Sequence, residues 1–185
     1  MFTVILLLTA LVVVWGVAAY NSLIALKNQT ANAWKQIDVQ LKRRHDLIPN
    51  LLNAVKGAMK FERETLEAVV QARNQAISVG AGGDVTKIAA VEGALTGALH
   101  RLLAVVEAYP DLKATGNIGQ LQEELTSTEN KLAFARQLYN DTATRYNTKQ
   151  KQVPTVFVAG IAGATEAPLW EISDDAERAV PKVEL

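Results

Sequence analysis

The sequence has no cysteine and only two histidines, His45 and His100. Disulfides and thiolate metal sites are therefore excluded, and redox chemistry gives no clue to compartment. A zinc site needs three or four ligands of the right types. Diiron bundles place Glu three residues before His; here Lys42 and Gly97 hold those positions. Each His reads as a helix-end or surface side chain. Charge of one sign is also missing in excess: 19 basic residues balance 19 acidic ones. A dedicated nucleic-acid surface needs a basic surplus, so no nucleic acid is expected as a partner. Proline and glycine are few and clustered, and no segment sustains period-two alternation, which excludes a sheet.

Catalytic motifs are absent as well. Gly80-Ala81-Gly82-Gly83 is followed by Asp84-Val85 rather than Gly-Lys-Ser/Thr. An acidic residue there repels phosphate, so the run reads as a turn between helices. No Gly-x-Ser-x-Gly elbow occurs. Glu62/Glu64 and Glu123-Glu124 fit solvated helix faces. The expectation is a non-enzymatic protein with no catalytic residue, cofactor or metal.

The last absence is the most telling. No Asp, Glu, Lys or Arg precedes Lys27, and residues 2–19 are apolar apart from Thr3 and Thr9. A hydrocarbon core of roughly 30 Å needs about 20 apolar helical residues. Phe2–Tyr20 meets that, with Trp15 and Tyr20 toward the interfacial end. Val17-Ala18-Ala19 could serve as a signal-peptide cleavage site, but no basic residue precedes the run. Lys27, Lys35, Lys42, Arg43 and Arg44 all follow it. The expectation is a single-pass anchor with a short N-terminus outside and the body in the cytoplasm.

Beyond the anchor, four helical patterns are legible. The first carries Leu23, Leu26, Thr30, Trp34, Ile37 and Leu41 and is expected to run to about Arg44. The second is expected after Asp46 as N-cap, with Pro49 in its first turn and a stripe of Leu51, Val55, Ala58, Leu66, Val69 and Ala76. The third follows Asp84 with Ile88, Val91, Leu95, Leu99, Leu102, Val106 and Tyr109. The fourth starts near Asn117 and carries Leu121, Leu125, Thr128, Leu132, Ala135, Tyr139, Thr142 and Tyr146, a seam-like spacing closed by Pro154. The predicted fold is all-α: a transmembrane helix continuing into an up-down antiparallel four-helix bundle of long helices. The expected divisions are an anchor over 1–26, the bundle over 27–152 and a tail over 153–185.

The stretch Tyr20–Asn74, above all QIDVQLKRRHDLIPNL (Gln36–Leu51) and ERETLEAV (Glu62–Val69), resembles the LemA family. So do EAYPDLKA (Glu107–Ala114), QLQEEL (Gln120–Leu125), ARQLYND (Ala135–Asp141) and YNTK (Tyr146–Lys149). The closing PKVEL has Leu185 where the family more often has an aromatic, and Phe61 stands where a polar residue is usual. The resemblance implies a bacterial inner-membrane protein with one N-terminal membrane helix and a helical body. It implies no agreed biochemical activity.

An up-down arrangement makes two ends. The end far from the membrane is expected to gather Arg43, Arg44, His45, Asp46, Tyr109 and Asp111, either capping helices and pairing charges or docking a partner protein or a neighbouring copy. The near end is expected to gather the uncharged Val153–Gly163, whose Val156, Phe157, Val158 and Ile161 would touch the lipid bilayer, or else pack on the bundle or against another subunit. Residues Glu166–Glu177, with Trp170, read as an extended or loosely ordered tail. In the span, Gly16 and Ala19 form a weak small-residue surface. The functional expectation is a scaffold that self-associates as a homo-oligomer and organises membrane or recruits a partner. The alternative is a monomeric membrane-tethered adaptor for one client.

Overall fold

The computed structural model describes residues 1–57, 59, 62–80, 84–109 and 116–171. It contains helices α1 (Phe2–Val55), α2 (Arg63–Gly80), α3 (Val85–Glu107) and α4 (Gly116–Lys151), then the single turn α5 (Val156–Ala159). Among the described residues there is no strand. The protein is all-α, and its apolar N-terminal helix continues into a helical bundle. Ala58, Phe61, Ala81–Gly83, Asp111 and residues 172–185 lie outside the described residues. The described residues form two compact units: Met1–Ile37 with Phe134–Leu169, and the described part of 38–133 with Trp170 and Glu171.

In the second unit the four long helices each contribute to one core. Ile48, Leu51 and Val55 of α1 meet Val69 and Ala76 of α2, Leu95, Leu99, Leu102 and Val106 of α3, and Ile118 and Leu125 of α4. Helix α3 starts where the sequence predicts: Asp84 Oδ1 accepts from the Thr86 amide at 3.3 Å, capping the first turn. This helix is apolar and long enough to cross a membrane. Its apolar stripe is packed inside the bundle, which makes it a core helix instead.

The first helix boundary differs from expectation. There is no turn at Arg44–Pro49: α1 runs unbroken to Val55, and the break falls at Lys56-Gly57. Asp46 is accordingly a mid-helix residue and not an N-cap. Two features carry the helix through. Its buried stripe continues in steps of three and four through Ile37, Leu41, Arg44, Ile48, Leu51 and Val55. Pro49 has no N–H to give the His45 carbonyl four residues back. Arg73 Nε, from α2, donates to that carbonyl at 2.8 Å. The missing intrahelical bond is thus replaced by a bond between helices.

The first unit is a hairpin. Trp34 of α1 lies edge-on to Tyr139 of α4, with centroids 5.3 Å apart at 63°. Leu23 clusters with Tyr146 and Ala159. Residue numbers rise on one helix as they fall on the other, so the two run antiparallel. Thr30 closes one gap in the stripe by donating its hydroxyl to the Leu26 carbonyl at 3.0 Å. After α5 the chain reverses at Gly163, whose φ of +58° suits glycine. The Ala164 amide bonds the Ala159 carbonyl and the Gly163 amide the Gly160 carbonyl, the paired bonds of a Schellman motif.

From there residues 164–170 form neither helix nor strand but are fastened by side chains of α4. Asn147 brackets Ala167, donating to its carbonyl and accepting from its amide, both at 2.8 Å. Tyr139 Oη donates to the Pro168 carbonyl at 2.7 Å, and the Trp170 side chain is buried.

The Arg73 bond gives a double-mutant test. Arg73→Ala strands the His45 carbonyl and is expected to cost about 1–3 kcal/mol. In a Pro49→Ala background an amide again serves that carbonyl, so the same change should cost well under half as much. Denaturant unfolding of the four proteins measures the coupling.

Candidate functional site

The most chemically loaded place among the described residues is a charge cluster in the second unit. It arises because both helices carry a charge at a core position of their stripes. Arg44 falls between Leu41 and Ile48 on α1; Glu92 falls between Ile88 and Leu95 on α3. Their side chains are 2% and 1% exposed. The sequence pattern predicts Val91 in the α3 stripe, but Val91 is half-buried and Glu92 takes the interior. A signal for this exists in the sequence: opposite charges interrupt two apolar stripes, each at a regular step of three or four.

Arg44 Nη1 lies 3.4 Å from Glu92 Oε2 and 3.4 Å from Glu129 Oε2 of α4. Arg44 Nη2 donates to Thr96 Oγ1 at 2.7 Å, and that hydroxyl donates to the Glu92 carbonyl at 3.0 Å. His45 Nε2 donates to Glu92 Oε1 at 2.8 Å. Arg73 of α2 holds the His45 backbone. All four long helices therefore meet on two consecutive residues of α1. Both carboxylate oxygens of Glu92 are engaged by protein donors, an arrangement that fixes helices rather than one that activates a substrate. His45 is neither a helix-end nor a surface residue: it is mid-helix and largely buried. His100 is exposed on α3.

The other residues expected near it are dispersed. Arg43 and Asp46 are exposed on α1. The Lys42 ammonium, 2.6 Å from Asp46 Oδ2, holds that carboxyl below the ordinary aspartate range. As an exposed pair it contributes little. With α1 running on to Val55, Tyr109 meets Glu62 through a long 3.5 Å hydrogen bond. Arg44 and Tyr109 thus do not share an end turn, and Asp111 lies outside the described residues.

The second expected set belongs to the first unit. Trp15 and Tyr20 are exposed, Gly16 is half-buried and Ala19 is buried. Val156, Phe157 and Ile161 are exposed and Val158 is half-buried. Ala159, between them, is packed against Leu23 and Tyr146.

A buried pair broken on one side leaves an uncompensated charge, typically at about 3–5 kcal/mol, whereas replacing both partners is often neutral. Arg44→Met alone is expected to lower stability by about 3–5 kcal/mol. Arg44→Met combined with Glu92→Met is expected to regain most of that loss, as thermal unfolding monitored by circular dichroism will report. A double variant as unstable as the sum of the singles would contradict the assigned pairing.

The sequence matches the model of the LemA family over residues 33–185. It is similar to magnetosome protein MamQ 2 of Paramagnetospirillum magneticum, 22% identical over 175 residues, or 82% of this chain and 64% of that protein. It is also similar to protein LemA of Metamycoplasma hominis, 31% identical over 134 residues, or 70% of this chain and 58% of that protein. This chain thus spans less than two thirds of the length of these relatives. The match takes in the charge cluster, the α4 arm of the hairpin and the residues after it, and the chain belongs to the LemA family.

Proposed function

We propose that this protein is a non-enzymatic, membrane-anchored helical scaffold that self-associates side by side. The observation that carries this reading is the outward face of α4. Its inner side is packed through Leu132, Ala135 and Tyr139, while Phe134 is 74% exposed and Leu138, one turn on, is exposed beside it. Helix α2 repeats the pattern in the second unit with exposed Val70 and Ile77. Large apolar side chains aligned on a helix exterior mark contact surfaces more often than isolated ones do. A second copy, fixed in the same membrane by the same anchor, is the partner always at hand.

The anchor is the uncharged part of α1. It is long and apolar enough to cross a bilayer, and it is one piece with the hairpin through Ile37. A basic collar supports a cytoplasmic body: Lys27 joins Arg145, Lys149 and Lys151 at the same end of the hairpin, where Glu166 offsets only part of their charge. In the linear sequence Lys27 is near the span; folding brings the other three. The body is a scaffold in this reading because the charge cluster buried in it is taken up in holding helices together.

The tethering alternative keeps a surface in exposed Arg43 and Asp46. Crosslinking from Arg43→Cys separates the readings: capture of the same protein supports assembly, and capture of a different one supports tethering.

Particle mass of the full-length protein extracted with its lipid is the direct test. A multimer is expected, and Phe134→Glu with Leu138→Glu is expected to reduce it to single chains with unchanged helix content. A wild-type protein that is monomeric in both nanodiscs and mild detergent would end this proposal.

A further inference from the structure

Residues 152–165 carry no charge, and the hairpin places them at one particular height. Trp34 faces Tyr139, and Leu23 clusters with Tyr146. The antiparallel register therefore brings Lys151, the end of α4, level with Ala18–Ser22 of α1. Tyr20, in that range, closes the apolar run of the anchor. Ala159 packs onto Leu23 and Tyr146, so α5 stays at this level.

The segment is sided. Thr155 and Ala159 are buried against the hairpin. Phe157 and Ile161, four residues apart and so on one face, are 73% and 82% exposed, and Val153 and Val156 are exposed with them. The basic collar of Lys27, Arg145, Lys149 and Lys151 lies at the same end. An uncharged apolar face directed outward, at the same end as Lys27, Arg145 and Lys149 and beside a Lys151 paired with Glu166, fits the boundary between headgroups and acyl chains of an anionic bilayer.

We propose that Val153–Ile161 is a second membrane contact, seated in the headgroup and upper acyl region beside the point where α1 leaves the bilayer, with Phe157 and Ile161 as its inserted side chains. This rests on reading α1 as a membrane span. The contact fixes the tilt of the hairpin on the membrane, because one helix end and one lateral wedge define a plane where a span alone leaves rotation free.

The absence of cysteine allows unique labelling of the full chain. Four single variants, Val13→Cys, His100→Cys, Phe157→Cys and Ile161→Cys, are labelled with a polarity-sensitive fluorophore. They are reconstituted in vesicles of phosphatidylethanolamine and phosphatidylglycerol carrying a nitroxide high on the acyl chain. Expected is quenching by the lipid nitroxide at 157 and 161 several-fold above that at 100, with quenching by aqueous iodide reduced in the same proportion. Labels at 157 and 161 that behave like the one at 100 overturn the proposal, since the turn then faces water. Labels shielded from both quenchers also overturn it, in favour of a contact with protein. The label at 13 separates the two levels of inference. If 13 is protected in the bilayer while 157 and 161 are not, only the second contact fails. If 13 is open to iodide, the span fails and the contact with it.

Discussion

The fold of the second unit hangs on burying Arg44. A guanidinium cannot lose its charge at any physiological pH, so placing it in a core stripe commits the rest of the bundle to answer it. The answer comes from three helices. Helix α3 supplies Glu92 and Thr96, and α4 supplies Glu129. Helix α2 takes no part in the ion pair but ties down the neighbouring His45 backbone. Apolar stripes tolerate a slip of one turn at modest cost; a buried charge with a fixed partner does not. The cluster therefore specifies register among four helices more than it adds net stability, since the desolvation of the pair largely offsets its attraction.

Pro49 shows the same logic one turn further on. A proline inside a helix normally exposes the carbonyl four residues earlier and kinks or ends the helix. Here the exposed carbonyl becomes an acceptor for Arg73, so the defect in α1 is the point at which α2 is attached. This is why the first helix boundary is not legible in the sequence. Propensity rules see a proline after a plausible cap at Asp46; they do not see an arginine 24 residues away from the proline in sequence that repairs the gap. The three-four stripe through Leu41, Ile48, Leu51 and Val55 is the better guide, because tertiary burial outweighs a local breaker once the lost bond is replaced.

Other parts are legible for definite reasons. The anchor is plain because charge is absent over a length matched to a bilayer. The α3 cap is plain because Asp84 precedes a regular stripe and follows a glycine run. The packing of α4 can be read almost residue by residue: Leu125, Thr128, Leu132, Ala135, Tyr139 and Tyr146 are all buried. How the tail is held is not legible. It is held by Asn147 and Tyr139, whose side chains bond main-chain groups about 20 to 30 residues away. Such contacts leave no periodic trace. The charge cluster lies between these cases. Its two members break apolar stripes in a visible way, but only the fold says that they break them opposite each other.

The densest motif in the sequence, Lys42–Leu51, is thus accounted for largely by folding. Arg44 supplies the core charge, His45 both an imidazole to Glu92 and a carbonyl to Arg73, Ile48 and Leu51 the apolar core, and Pro49 the gap that Arg73 fills. A block so constrained is distinctive whether or not anything binds to it. The features that folding does not explain lie on the outside. Phe134 and Leu138 on α4, and Phe157 and Ile161 beyond it, are large apolar groups that the described residues leave in contact with solvent. Burial of such side chains is worth about 1.5–3 kcal/mol each, and within the folded chain it is forgone. Interaction with lipid or with other copies recovers it, which is why the proposed role is assigned to the apolar exterior rather than to the charged centre.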